Sequence, residues 1–80
     1  MAVRDFVKAK LGEVKVGYDI KDDTLLIEEE ILESLTILYL ISELEKGYGI
    51  TIPLSDVVEK NFGTPLAIEA YVKGRSQDAN

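Results

Sequence analysis

The sequence predicts a small all-α domain, a four-helix bundle of three longer helices and one short one, with a long loop after the first. Three observations predict it. Apolar residues recur at helical spacings in three separate segments. Capping and terminating residues fall between those segments. The one run rich in strand formers continues into a helical pattern too long for a strand.

Taken in order, Val3, Phe6, Val7, Leu11 and Val14 form the stripe of a first amphipathic helix. Gly12 and Gly17 weaken helix and lead into a connection. That connection, residues 15–32, offers Tyr18, Ile20, Leu25, Leu26 and Ile27 to the core. A loop of this length in a small domain is functional or packed down by its own side chains. The run Leu35 to Ile41 favours strand by composition, but Ile37, Leu40, Ile41, Leu44 and Tyr48 share one helical face. Residues 33–46 are therefore read as the second helix, ended by Gly47 and Gly49. Ile50 to Pro53 is extended, because a residue before proline is pushed out of the α region. Ser55 caps a short helix through about Asn61, with Asp56 in its first turn. Thr64 followed by Pro65 opens the last helix, which presents Leu66, Ile68, Ala70, Tyr71 and Val72. Gly74 ends it, so residues 1–74 make one domain and 75–80 a frayed tail.

Eighty residues leave room for one domain. A chain this short buries only about 60% of the surface it exposes when unfolded, so its core is thin. There is no cysteine, which removes disulfides, thiolate metal sites and thiol nucleophiles. There is no histidine, which excludes hydrolases of the Ser-His-Asp and Cys-His kinds. Met1 to Phe6 lacks the basic and apolar regions of a signal peptide, and no run approaches the ~18 apolar residues of a membrane span. A cytoplasmic monomer is the expectation.

The net charge of −6 is unevenly spread. Residues 1–18 carry four cations against two acids, whereas residues 19–45 carry Lys21 against nine acids. The last segment, 46–80, is balanced. An acidic middle third repels nucleic acid and anionic membranes and attracts a basic protein surface. A merely solubilising charge run is the plainer reading.

The segment Asp22 to Leu35 carries the chemistry. It delivers Ser34 to the start of an amphipathic helix directly after a loop. Free N–H groups and the helix dipole there stabilise a phosphate esterified on such a hydroxyl. On spacing alone Ser34 reads first as a helix N-cap, a commoner role for such a serine than modification. A calcium loop starting at Asp19 is a further reading, and Asp19, Asp23 and Glu30 fit it. Lys21 and Thr24 stand where that pattern needs an oxygen ligand and a glycine, so no dedicated metal site is assigned.

From Asp23 to Val72 the chain resembles the acyl and peptidyl carrier family. The resemblance rests on Glu33-Ser34-Leu35 opening the second helix, followed by Leu38, Ile41 and Leu44. Gly49-Ile50-Thr51-Ile52-Pro53 comes next, then Asn61-Phe62-Gly63-Thr64 and Ile68-Glu69-Ala70-Tyr71-Val72, at the family's intervals. It implies that Ser34 receives 4′-phosphopantetheine from coenzyme A through a phosphopantetheinyl transferase. The arm's thiol then holds an acyl or aminoacyl thioester, loaded by a ligase or transferase and passed to synthases or acyltransferases. Such a protein is a shuttle in fatty acid, polyketide or specialised biosynthesis, not an enzyme. Leu38 and Ile52 are candidates to line an acyl cavity.

The chain departs from the family pattern at several positions. Glu33 replaces the usual aspartate, and Glu30 stands where glycine is common. Thr36 and Tyr39 replace acids of the second helix, Lys46 replaces another, and Leu54 follows the proline where acid is frequent. The expected partner surface is therefore mixed. Glu33, Glu43 and Glu45 supply charge complementarity, and Leu35, Thr36, Tyr39 and Leu54 a less polar contact. Two rivals stand beside this reading: an unmodified helical interaction domain that binds a partner through its second helix, and a structural bundle in which Ser34 only caps.

Overall fold

The computed structural model describes residues 2–78, in the order α1 (Val3–Val14), α2 (Ser34–Tyr48), a 3₁₀ turn (Leu54–Asp56), α3 (Glu59–Phe62) and α4 (Pro65–Asp78). The all-α bundle expected from the sequence is the one observed. The first helix packs against both α2 and α4, and α3 packs on α4. Val3, Val7 and Leu11 form the buried stripe of α1, and Leu40, Ile41 and Leu44 that of α2. Ile68 and Val72 of α4, with Phe62 of α3, close the core from the other side. Phe6 lies against Tyr48 edge to face, 5.2 Å between ring centroids. Its ring comes so near Gly47 that a β-carbon there would stand 3.2 Å from it.

The long loop is pinned along its length. Leu26, Ile31 and Leu32 are buried, whereas Tyr18 and Leu25 face solvent, contrary to the expectation that they tuck inward. The Leu26 N–H donates to the Gly63 carbonyl at 2.8 Å, and the Leu66 N–H to the Asp22 carbonyl at 3.1 Å. The Asp22 carboxylate accepts from Lys8 at 2.6 Å and lies 3.5 Å from Arg4. That hydrogen bond from Lys8 is the main reason its carboxyl sits below its ordinary value of 3.8.

Three element boundaries differ from the sequence reading. Gly47 lies inside α2, and Gly49, at φ +65°, is the residue that ends it. The helix expected from Ser55 to Asn61 is split into the 3₁₀ turn and α3. Val58, extended at φ −127°, separates them, and Ser55 caps neither. The last helix passes through Gly74 to Asp78, held by Arg75 donating to the Thr51 carbonyl at 2.8 Å. Of the expected tail, residues 79 and 80 lie outside the described residues. The start of α4 is as read: Thr64 Oγ1 accepts from the Ala67 N–H at 3.1 Å, ahead of Pro65.

Candidate functional site

The start of α2 is built by Thr36, whose side chain points inward and is 7% exposed. Its hydroxyl donates to the Ile31 carbonyl at 2.8 Å and accepts the Glu33 N–H at 2.8 Å. Because Ile31 and Leu32 are anchored in the core, this hydroxyl fixes the chain's approach to the helix. The N-cap is Glu33, extended at φ −132°, and its carbonyl takes the first helical bond from Ile37 at 2.7 Å. Ser34 is therefore the first helical residue and not the cap. Its side chain is exposed, and its hydroxyl has no hydrogen bond among the described residues. The N–H groups of Ser34 and Leu35 belong to the first turn and have no acceptor there either.

The acids expected to face a partner are largely committed to the protein itself. Lys15 stands 3.6 Å from Glu33, and Lys10 3.1 Å from Glu43. Between those two pairs the Tyr39 hydroxyl donates to Glu13 at 2.8 Å. This polar seam runs between α1 and one flank of α2. Its effect on titration is consistent. The Lys10 hydrogen bond, then that of Lys46, holds the Glu43 carboxyl below its ordinary 4.5, while the bond to Glu13 leads the upward shift at Tyr39. Glu45 accepts the Ile52 N–H at 2.9 Å and thereby ties the extended 50–53 segment to α2.

What α2 turns outward is different. Ser34, Leu35, Leu38 and Ser42 lie on one exposed face, with Leu35 76% and Leu38 55% exposed. Glu45 continues that face, but its carboxylate is taken by the Ile52 N–H. Exposed as it is, Leu38 lines no interior cavity, whereas Ile52 is buried. Leu54 is exposed on the 3₁₀ turn. On the other side of Ser34, the loop acids Glu28, Glu29 and Glu30 are exposed and form no ion pair among the described residues. The apolar residue types of this face are legible in the sequence, but which acids are already paired is not. The signal lay in Lys10 and Lys15, at the end of α1.

Glu30 is the one described non-glycine residue with positive φ, at +58°. The left-handed region explains why glycine is common at this place in proteins the chain resembles.

The family model described as "Phosphopantetheine attachment site" matches residues 2–72. The chain is 31% identical over 78 residues to the anthracycline acyl carrier protein DauA of Streptomyces sp. (strain C5), covering 96% of this chain and 89% of that protein. It is 41% identical over 51 residues to the D-alanyl carrier protein of Enterococcus faecalis (strain ATCC 700802 / V583), covering 64% and 65%. A chain from a solved structure described as an FAD-dependent dehydrogenase superposes with a TM-score of 0.73 at 26% identity. That match covers 88% of this chain and 97% of the other. With a family match over nearly its whole length and carrier proteins among its relatives, the chain belongs to the phosphopantetheine attachment-site family, whose prosthetic group is 4′-phosphopantetheine.

Proposed function

We propose that the protein is a carrier in which Ser34 bears the 4′-phosphopantetheine arm and presents an acyl or aminoacyl group to partner enzymes. One observation carries the assignment: in a chain of this family, Ser34 offers an exposed hydroxyl without a hydrogen bond, at the first turn of a helix entered from an anchored loop. The surroundings fit the group. A phosphate esterified at the first helical residue meets the unpaired N–H groups of Ser34 and Leu35 and the positive end of the dipole. When bound, the group supplies a thiol for thioester linkage, which this cysteine-free chain lacks.

Attachment uses Ser34 as the nucleophile. Its Oγ forms the new P–O bond as the pyrophosphate linkage of coenzyme A breaks and adenosine bisphosphate leaves. The hydroxyl proton passes to a base of the transferase, because this chain has no histidine to take it.

The transferase, the loading ligase or transferase and the synthases that use the cargo must all approach the exposed stripe of α2. Leu35 and Leu38 give that surface its apolar contact, and Glu28 to Glu30 beside it steer a basic approach. Tyr39, Glu43 and Glu45 act indirectly by holding α2 in place, and Thr36 by forming its start. The names of the two similar carriers support an acyl or aminoacyl cargo, and the work takes place in the cytoplasm.

Intact mass after incubation with coenzyme A and a broad-specificity phosphopantetheinyl transferase tests the assignment. The expected result is one phosphopantetheine adduct, lost in Ser34→Ala. No adduct, under conditions that convert a control carrier, favours an unmodified interaction domain. Association with the transferase should slow as salt rises while dissociation stays nearly constant. Leu38→Ala should quicken dissociation roughly tenfold, about 1.4 kcal/mol.

A further inference from the structure

We propose that Lys15 holds the phosphodiester of the arm once Ser34 is modified, exchanging its contact with the Glu33 carboxylate for the phosphate. This rests on Ser34 being the attachment residue. Modification places a phosphodiester anion immediately after Glu33, so two negative charges meet at one helix start. Consecutive α-carbons are only about 3.8 Å apart. The dipole and two free N–H groups offset part of that repulsion. A nearby ammonium offsets more of it.

Lys15 is the cation placed to supply it. Among the described residues, its ammonium is the one that contacts a neighbour of Ser34, at 3.6 Å from Glu33 Oε1. Other cations are engaged away from this turn: Arg4 and Lys8 at Asp22, Lys10 and Lys46 at Glu43, Lys73 at Glu69, and Arg75 at the Thr51 carbonyl. The stem of Lys15 starts from a fixed point, because its N–H closes α1 on the Leu11 carbonyl at 2.8 Å.

The geometry favours exchange. At 3.6 Å the pair with Glu33 is longer than the ~2.7–2.9 Å of a charge-assisted hydrogen bond, so it is loosely made. Helical Cα–Cβ bonds tilt toward the N-terminus, so the Ser34 side chain leans back along the axis toward the turn that holds Glu33. Lysine is suited to the task as a compact charge with three donors on a flexible stem.

The test compares wild type, Lys15→Met and Lys15→Arg, each as apo protein and as holo protein verified by intact mass. The readings are the thermal midpoint and the ³¹P resonance of the phosphodiester. In low salt, the apo-to-holo change in midpoint should be more favourable in wild type than in Lys15→Met by roughly 2–6 °C. The ³¹P resonance should differ between those two proteins, Lys15→Arg should match wild type in midpoint, and about 1 M salt should erase the midpoint difference. Equal apo-to-holo changes with coincident ³¹P resonances overturn the role of Lys15 and leave the carrier reading standing. Failure of wild type to accept the group overturns both.

Discussion

At the start of α2, the Thr36 hydroxyl serves two backbone groups at once, the Ile31 carbonyl and the Glu33 N–H. Thr36→Val keeps the shape and strands both, so urea unfolding should show a loss of about 1–3 kcal/mol, largely recovered in Thr36→Ser. Ser34→Ala should change stability by less than about 0.5 kcal/mol, since alanine is a good first-turn residue and no cap is lost. A larger loss in that variant would mean that Ser34 has a structural partner after all. The capping arrangement was legible only in part. The familiar order is Ser or Thr at the cap and Glu three residues on, and here it is reversed, Glu33 first and Thr36 third. Spacing alone drew attention to the serine beside it. Glu30, by contrast, stands where the carrier resemblance favours glycine, and its φ of +58° gives the reason. The left-handed penalty of about 1–2 kcal/mol is partly matched by the entropy glycine costs, so Glu30→Gly should be neutral to mildly stabilising.

At the scale of elements, the long helices were legible because their stripes repeat over three or more turns. Short pieces were not. Asp56 is a first-turn acid, but of the 3₁₀ piece alone: its carboxylate accepts the Tyr71 hydroxyl at 2.6 Å, and the extended Val58 separates it from α3. A partner fifteen residues away leaves no mark on local pattern. Gly63 illustrates the same limit. Its backbone is helical, but a β-carbon would fall 2.6 Å from the Glu59 carbonyl. The same residue's carbonyl anchors Leu26 of the loop. Gly63→Ala should therefore cost about 1–3 kcal/mol, read by thermal unfolding, and loosen the loop that leads to Ser34. The seam between α1 and α2 was hidden for a related reason: charge counted along the chain does not reveal which acids are already paired in space.

For the molecule as a whole, titration acts at both ends of the pH scale. Burial first, then the bond to Asp56, pushes the Tyr71 hydroxyl up to about 12. The unfolded chain gives up a tyrosine proton near 10, so between pH 10 and 12 the folded state holds the extra proton and stability falls as pH rises. Lys8 and Lys10, raised chiefly by Asp22 and Glu43, add to the same alkaline loss. Asp22 and Glu43 act oppositely. Their lowered carboxyls contribute above the ordinary values of 3.8 and 4.5, and that contribution disappears as pH falls below them. Denaturation followed from pH 2 to 12 should show a plateau between these limits. Tyr71→Phe should lower it by about 0.5–1.5 kcal/mol and reduce the alkaline slope. Within the described residues no helix is long and apolar enough to cross a membrane.

One contact joins the two ends of the described chain. The Arg4 N–H, in the first turn of α1, donates to the Glu69 carboxylate of α4 at 3.1 Å, and Glu69 is buried. First-turn amides ordinarily trade their hydrogen for deuterium within the dead time of an experiment, because helix geometry leaves them without an acceptor. Arg4 should be an exception. Its amide should exchange at the slow rate of the Val7 and Leu11 backbone, and Glu69→Gln should leave it slow while Glu69→Ala returns it to the fast class.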